Sequence, residues 1–193
     1  MPLLPGELLN GRYRITTLLA QGAVGHTYQA YDMRAERRVA VKEVLDASVE
    51  TQKAFRAGAR RLSALHHEQI APVLDHFALE DVGQYLISDY VAGVDLGQLL
   101  QQYGPLPSDL IIGWLQAVCA PLTYLHEQDI LHLNIKPANI RLTPAGNIVL
   151  VGGAVPGLEL LGGNGRLAPP EQQNQAALTP AADIYSLGAT LYL

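Results

Sequence analysis

Leu19-Ala20-Gln21-Gly22-Ala23-Val24-Gly25-His26-Thr27-Tyr28 decides the architecture, because what flanks its glycines excludes the obvious alternative. A glycine-rich loop that binds a dinucleotide stands between a strand and a helix. Here the loop follows Arg12-Tyr13-Arg14-Ile15-Thr16-Thr17-Leu18-Leu19 and precedes His26-Thr27-Tyr28-Gln29-Ala30-Tyr31. Both segments alternate and are rich in β-formers, so the loop joins two strands. Gly22 and Gly25 then have two readings: simple turn residues, or points where backbone approaches a ligand closely.

Outward from the loop, Arg38-Val39-Ala40-Val41-Lys42-Glu43-Val44 reads as a third strand. A helix is expected from about Val49 to Leu65, with Phe55, Leu62 and Leu65 on its apolar stripe. Two more strands, Val73–Leu79 and Gln84–Val91, flank the turn Glu80-Asp81-Val82-Gly83. Beyond Gly93 the pattern becomes helical. Leu96–Tyr103 ends at Gly104-Pro105, and Ser108-Asp109 is positioned to cap a longer helix through His126. Ile112, Leu115, Cys119, Leu122 and Leu125 recur there at helical spacing, which predicts a buried Cys119. Short strands follow, then a glycine-rich stretch from Gly152 to Gly165, then an apolar helix beginning near Asp183. Five strands with one helix and then mostly helices make an α+β pair of lobes, 1–91 and 92–193.

Bulk properties narrow the function classes. The net charge of -5 offers no basic face for nucleic acid. Charged residues make up only 16% of the chain, against roughly 25% in ordinary domains, a shortfall compatible with a surface that meets a partner. One cysteine excludes an internal disulfide framework. The opening Met1-Pro2-Leu3-Leu4-Pro5-Gly6 lacks a signal-peptide pattern, and no apolar run reaches the ~18 residues of a membrane span. A cytoplasmic protein or segment is expected. The six histidines show no metal-ligand spacing.

Four downstream motifs give the glycine loop its meaning. Val39-Ala40-Val41-Lys42 resembles the strand-borne lysine motif of protein kinases, and Leu131-His132-Leu133-Asn134-Ile135-Lys136-Pro137-Ala138-Asn139 their catalytic loop. Ala168-Pro169-Pro170-Glu171-Gln172 is similar to the end of the activation segment, and Asp183-Ile184-Tyr185-Ser186-Leu187-Gly188 to the start of the central helix. Five elements in order span essentially the whole chain, in a style most similar to bacterial serine/threonine kinases of the eukaryotic-like type. The resemblance implies a bilobal kinase fold: an antiparallel β N-lobe with one helix, and a mostly helical C-lobe that is incomplete at its C-terminal end.

Kinase chemistry positions a nucleotide and neutralises charge, and the resemblance shows which parts survive. Lys42 is kept. The helix glutamate that would anchor it falls at Gly58, and Glu50 lies two helical turns away, roughly 12 Å at 1.5 Å per residue. The base position carries Asn134, an amide with no basicity near neutral pH. Leu133 replaces the preceding arginine; Lys136 remains. The Asp-Phe-Gly position reads Gly152-Gly153-Ala154, so the metal carboxylate is gone while the other metal position, Asn139, persists as a poor site for a hard cation. Loss of the phenylalanine predicts an opening at Gly153, between His132 and Leu62. From Gly152 to Glu171 there is no Ser, Thr or Tyr, and Asn164 stands where relatives place a pocket threonine.

For nucleotide, the resemblance points to Gly22, Gly25, Thr27, Ala40, Lys42, the hinge residues Asp89 and Val91, and Arg141 at the adenine floor. Ala20 and Thr27 depart from the usual glycine and valine. Weak ATP binding without magnesium and no binding at all both remain open. The implied function is a catalytically inactive, pseudokinase-type regulatory or scaffolding module with a protein partner. The alternative is a weakly active ATP-dependent serine/threonine kinase.

Overall fold

The computed structural model describes residues 2–22, 25–46, 48–79, 82–158 and 167–192. They fall into two compact units. One comprises Met1–Leu65, Pro72–Tyr90 and Val155–Leu158; the other comprises His66–Ala71, Val91–Ala154 and Glu159–Leu193.

The first unit holds a six-stranded antiparallel sheet of β1 (Leu8–Leu9), β2 (Tyr13–Gly22), β3 (Gly25–Asp32), β4 (Arg37–Val44), β5 (Val73–Leu79) and β6 (Gly83–Asp89). Their order is β1-β2-β3-β4-β6-β5. The sequence reading gave five strands; β1 adds a sixth, two residues being too few to show alternation. Period-2 burial is clean in β3, where His26, Tyr28, Ala30 and Asp32 point inward. With Tyr13, Ile15, Val39, Val41, Tyr85 and Ile87 they close one core, none of those six more than 1% exposed. Helix α1 (Val49–Ser63) is capped by Ser48, whose side chain accepts from the Thr51 amide.

Two polar clusters are set into this core. Arg12 grips Asp32 with two hydrogen bonds, 2.7 and 2.8 Å, and reaches Asp75 at 3.2 Å. The Arg12 hydrogen bonds hold the Asp32 carboxyl down at about 2 against the cost of burial. Deeper in, Glu43 accepts from His26 Nδ1 at 2.8 Å, Tyr28 at 3.1 Å and Tyr85 at 2.9 Å. Burial, opposed by the Leu3 amide and reinforced by Glu43, pushes the Tyr28 hydroxyl up to about 12. Tyr85→Phe removes one of three donors to a carboxyl that is only 3% exposed. It is expected to cost about 1–3 kcal/mol in urea unfolding, and a change under ~0.5 kcal/mol would contradict that.

The second unit carries a small sheet of β7 (Val94–Asp95), β8 (Ile140–Leu142) and β9 (Ile148–Leu150), with α2 (Leu96–Tyr103), α3 (Ser108–Glu127), a 3-10 turn at Pro137–Asn139, α4 (Pro170–Gln173) and α5 (Pro180–Leu191). Asp95 and Gln98 form a reciprocal capping box on α2. Two expectations for α3 fail. Its N-cap is Pro107, without a side-chain hydrogen bond, so Ser108 is already helical. Cys119 is exposed and Ile112 is 53% exposed. The buried face is Val118, Pro121, Leu122 and Leu125, and at 100° per residue Cys119 has turned well away from Val118. Leu122 and Leu125 of the expected stripe are buried and Leu115 is half-buried, so the stripe holds at its C-terminal end and fails at Ile112 and Cys119.

Helix α3 is also long and apolar enough to cross a membrane by length and mean composition, a test that a packed helix passes too, while its apolar run is broken at Gln116. Helix α5 begins three residues before Asp183, where Pro180 occupies the first turn. An apolar cavity of about 270 Å³ is lined by Leu96, Leu100, Trp114, Leu115, Leu187 and Leu191 among others.

Candidate functional site

In the first unit, strand register gathers the residues assigned to nucleotide. Thr27 pairs with Lys42, and Gln29 with Ala40. Lys42 and Ala40 alternate with the buried Val41 and Val39, so Thr27, Ala40 and Lys42 share the half-buried face of the sheet. The glycines have structural causes. A Cβ on Gly25, whose φ is +155°, would overlap the Glu43 carbonyl oxygen, and one on Gly22 would lie 3.3 Å from the Gly25 carbonyl. Close packing of the hairpin on β4 therefore requires Gly25, ligand or no ligand. Ala23 and Val24, at the tip, lie outside the described residues.

At the hinge, the Asp89 amide is already donated to the Pro72 carbonyl at 3.0 Å, and the Asp89 carboxyl lies 3.9 Å from Arg37. Tyr90 is the last residue of the first unit here and Val91 the first of the second. Arg141, in β8, donates to the Gly93 carbonyl at 2.6 Å and lies 4.0 Å from Asp95. Its guanidinium is thus tied to its own unit's backbone.

The catalytic-loop segment in the second unit is built on one buried carboxylate. Asp183 is fully buried in α5. Its Oδ2 accepts from the His132 amide at 2.8 Å and from His126 Nε2 at 2.9 Å, while Oδ1 accepts from the Leu133 amide at 2.7 Å. Burial alone would raise the Asp183 carboxyl; the His126 hydrogen bond, His132 and the two amides instead hold it below the usual range. The clamp keeps Leu133 at φ +52°, a region costly for a residue with a branched side chain. Leu133 and Ile135, 2% and 0% exposed, then act as core. Leucine at the arginine position is a packing residue.

Between these buried anchors the chain presents Asn134, half-buried Lys136 and Asn139. Asn134 Nδ2 donates to the Gly152 carbonyl at 2.6 Å, and Asn139 Nδ2 donates to the Asn134 carbonyl at 2.7 Å. Only an amide nitrogen can donate to a carbonyl oxygen, so both side chains are oriented and committed. Gly152 has φ +71°, and a Cβ there would lie 3.0 Å from Asn139 Oδ1. The base position and the metal position are therefore fastened to each other by an amide hydrogen bond. The amide oxygens of Asn134 and Asn139 are left as neutral ligands with no carboxylate beside them, and no cluster of three His, Cys, Asp or Glu side chains exists among the described residues. These residues do not fit a resident magnesium ion.

One expectation changes here, and another gains a structural cause. The opening at Gly153 is closed on its His132 side: a Cβ would sit 3.1 Å from His132 Cδ2. Gly58, read as a lost carboxylate, is a packing position, since a Cβ on it would overlap the Pro156 carbonyl oxygen and lie 2.8 Å from Val155 Cγ1. Asn164 lies outside the described residues. The Glu43 cluster and the His126–Asp183 contact, 57 residues apart, carried no local sequence signal.

Residues 13–193 match the family described as protein kinase domain. The serine/threonine-protein kinase PknA of Mycobacterium tuberculosis is 32% identical over 203 residues, covering 97% of this chain and 47% of the relative. PrkC of Bacillus subtilis is 27% identical, covering 98% and 31%, and PknB of Mycobacterium tuberculosis 29%, covering 95% and 32%. The chain spans less than half the length of these curated relatives.

Proposed function

This chain belongs to the protein kinase domain family, and from that premise we propose that it is a pseudokinase, a regulatory or scaffolding module that does not transfer phosphate. Domains of this family typically bind ATP; the reading concerns what this one does with it. One observation carries it: the Asn134 amide hydrogen-bonded to the Gly152 carbonyl. A carboxylate at 134, the group that would accept a substrate proton, would face that carbonyl oxygen without a donor. General-base assistance contributes about 10²–10⁴-fold, and an amide supplies none of it.

Loss of the metal carboxylate at Gly152 and of a carboxylate at Gly58 supports the same reading independently. Nucleotide binding, in this proposal, is weak and indifferent to magnesium. Its contacts would come from Lys42, Thr27 and Ala40 on one sheet face. The partner in this proposal is a protein, the net charge of -5 offering no basic face for nucleic acid, and the setting is cytoplasmic, with which a single cysteine is compatible.

The test is radiolabelled phosphate transfer onto the chain itself and onto a generic acceptor protein, with magnesium or manganese. Transfer is expected to equal that of Lys42→Ala. Transfer that Lys42→Ala abolishes would establish a weakly active serine/threonine kinase and end the proposal. Melting with ATP is expected to shift equally with and without magnesium; a shift that appears only with the metal contradicts the donor set described above.

A further inference from the structure

We infer that Ala54 and Gly58 form a notch on α1 that seats the turn Val155-Pro156-Gly157-Leu158, holding the segment after Gly152–Ala154 on the helix as a constitutive strap. The turn is locally encoded. The Leu158 amide donates to the Val155 carbonyl at 2.9 Å, and Gly157 has φ +88°. Proline at the second position, glycine with positive φ at the third and an i to i+3 hydrogen bond describe a type II turn in its preferred sequence. Such a turn loses little conformational freedom on docking, because proline restricts it beforehand.

The notch is the complementary shape. Positions 54 and 58 lie one helical turn apart on the same face, and neither carries an atom beyond Cβ. The Gly157 Cβ position is 3.4 Å from Ala54 Cβ. The Pro156 carbonyl fills the place of any side chain at 58, and Val155 lies against the same glycine. Val155 is 3% exposed and Pro156 buried, and all four residues belong to the unit that contains α1.

A seated turn and a carboxylate at position 58 therefore exclude each other. The glycine that offers Lys42 no carboxylate from position 58 is the same glycine that admits the strap. With no Ser, Thr or Tyr from Gly152 to Glu171, phosphorylation within this stretch offers no release. The strap is set by shape alone.

Hydrogen exchange on the full chain tests this independently of catalysis, so its failure leaves the pseudokinase reading standing and the reverse also holds. The Leu158 amide is expected to be protected in the wild type and to exchange on the order of tenfold faster or more in Gly58→Leu, while amides of the sheet core keep their rates. An unprotected wild-type amide, or one unchanged in Gly58→Leu, overturns the inference. Should Gly58→Leu fail to melt cooperatively, Gly58→Ala decides, because a single Cβ there already overlaps the Pro156 carbonyl oxygen. The Leu158 amide is expected to exchange faster in Gly58→Ala than in the wild type; an unchanged rate in the folded variant overturns the inference.

Discussion

Asp183→Ala is expected to cost about 3–5 kcal/mol, the scale for stripping one partner from a buried charged network. In a chain of this size that lowers Tm by on the order of 10 °C. The magnitude follows from what the substitution leaves behind. The amides of His132 and Leu133 lose their acceptor inside the fold, and His126 loses its partner. Leu133 is additionally released from φ +52° with nothing to hold it there. Asp183→Asn keeps one acceptor oxygen and should fall between the two. A loss below ~1 kcal/mol for Asp183→Ala in urea unfolding would show that the segment is held by its apolar residues instead.

The same carboxylate and Asp32 set a common direction for pH. Both have folded-state values below an ordinary aspartate, Asp32 at about 2. Their contribution is fully present above the unfolded value near 3.9 and is lost as pH falls through the folded values. Stability is expected to decline below about pH 4 and to decline less steeply in Asp183→Asn, whose amide does not titrate.

The fold was legible wherever a pattern was local. Alternation through His26–Tyr31 and Arg38–Val44 located β3 and β4 to within a residue or two. Gly104 marked the end of α2 as its backbone chemistry requires, whereas the start of α5 at Pro180 was placed three residues late, near Asp183. What escaped was two-sided. Which stripe of α3 faces inward depends on what packs there, so Cys119 was misplaced. Glycine was the least legible residue of all. At 25 and 58 it is demanded by backbone carbonyls of Glu43 and Pro156, which no reading of neighbouring residues reveals. At 152 the absence of a carboxylate was plain in sequence, but the hydrogen bond that the Asn134 amide donates to its carbonyl was not. Sequence shows which carboxylates are absent from the family's positions, and the structure shows which contacts stand there.

That replacement can be undone in part. Asn134→Asp combined with Gly152→Asp should create a divalent-cation site that the wild type lacks. The double variant places two carboxylates beside Asn139 Oδ1, an oxygen set suited to a hard cation. Aspartate tolerates the φ of +71° at 152 better than most residues. Its Cβ would lie 3.0 Å from Asn139 Oδ1, so the Asn139 amide must rotate slightly. Manganese at ten times its dissociation constant would stabilise the double variant by about 1.4 kcal/mol. The corresponding rise in Tm is about 3–6 °C, with no rise in the wild type. Equal rises in both proteins, or none in either, would refute the account of the site. Phosphate transfer should nevertheless stay at the Lys42→Ala background. Position 58 still offers no carboxylate to Lys42, and with the turn at Pro156 in place it cannot accept one. Transfer by the double variant would mean that Lys42 needs no such anchor, and the weight placed on Gly58 would have to move to Asn134 and Gly152 alone.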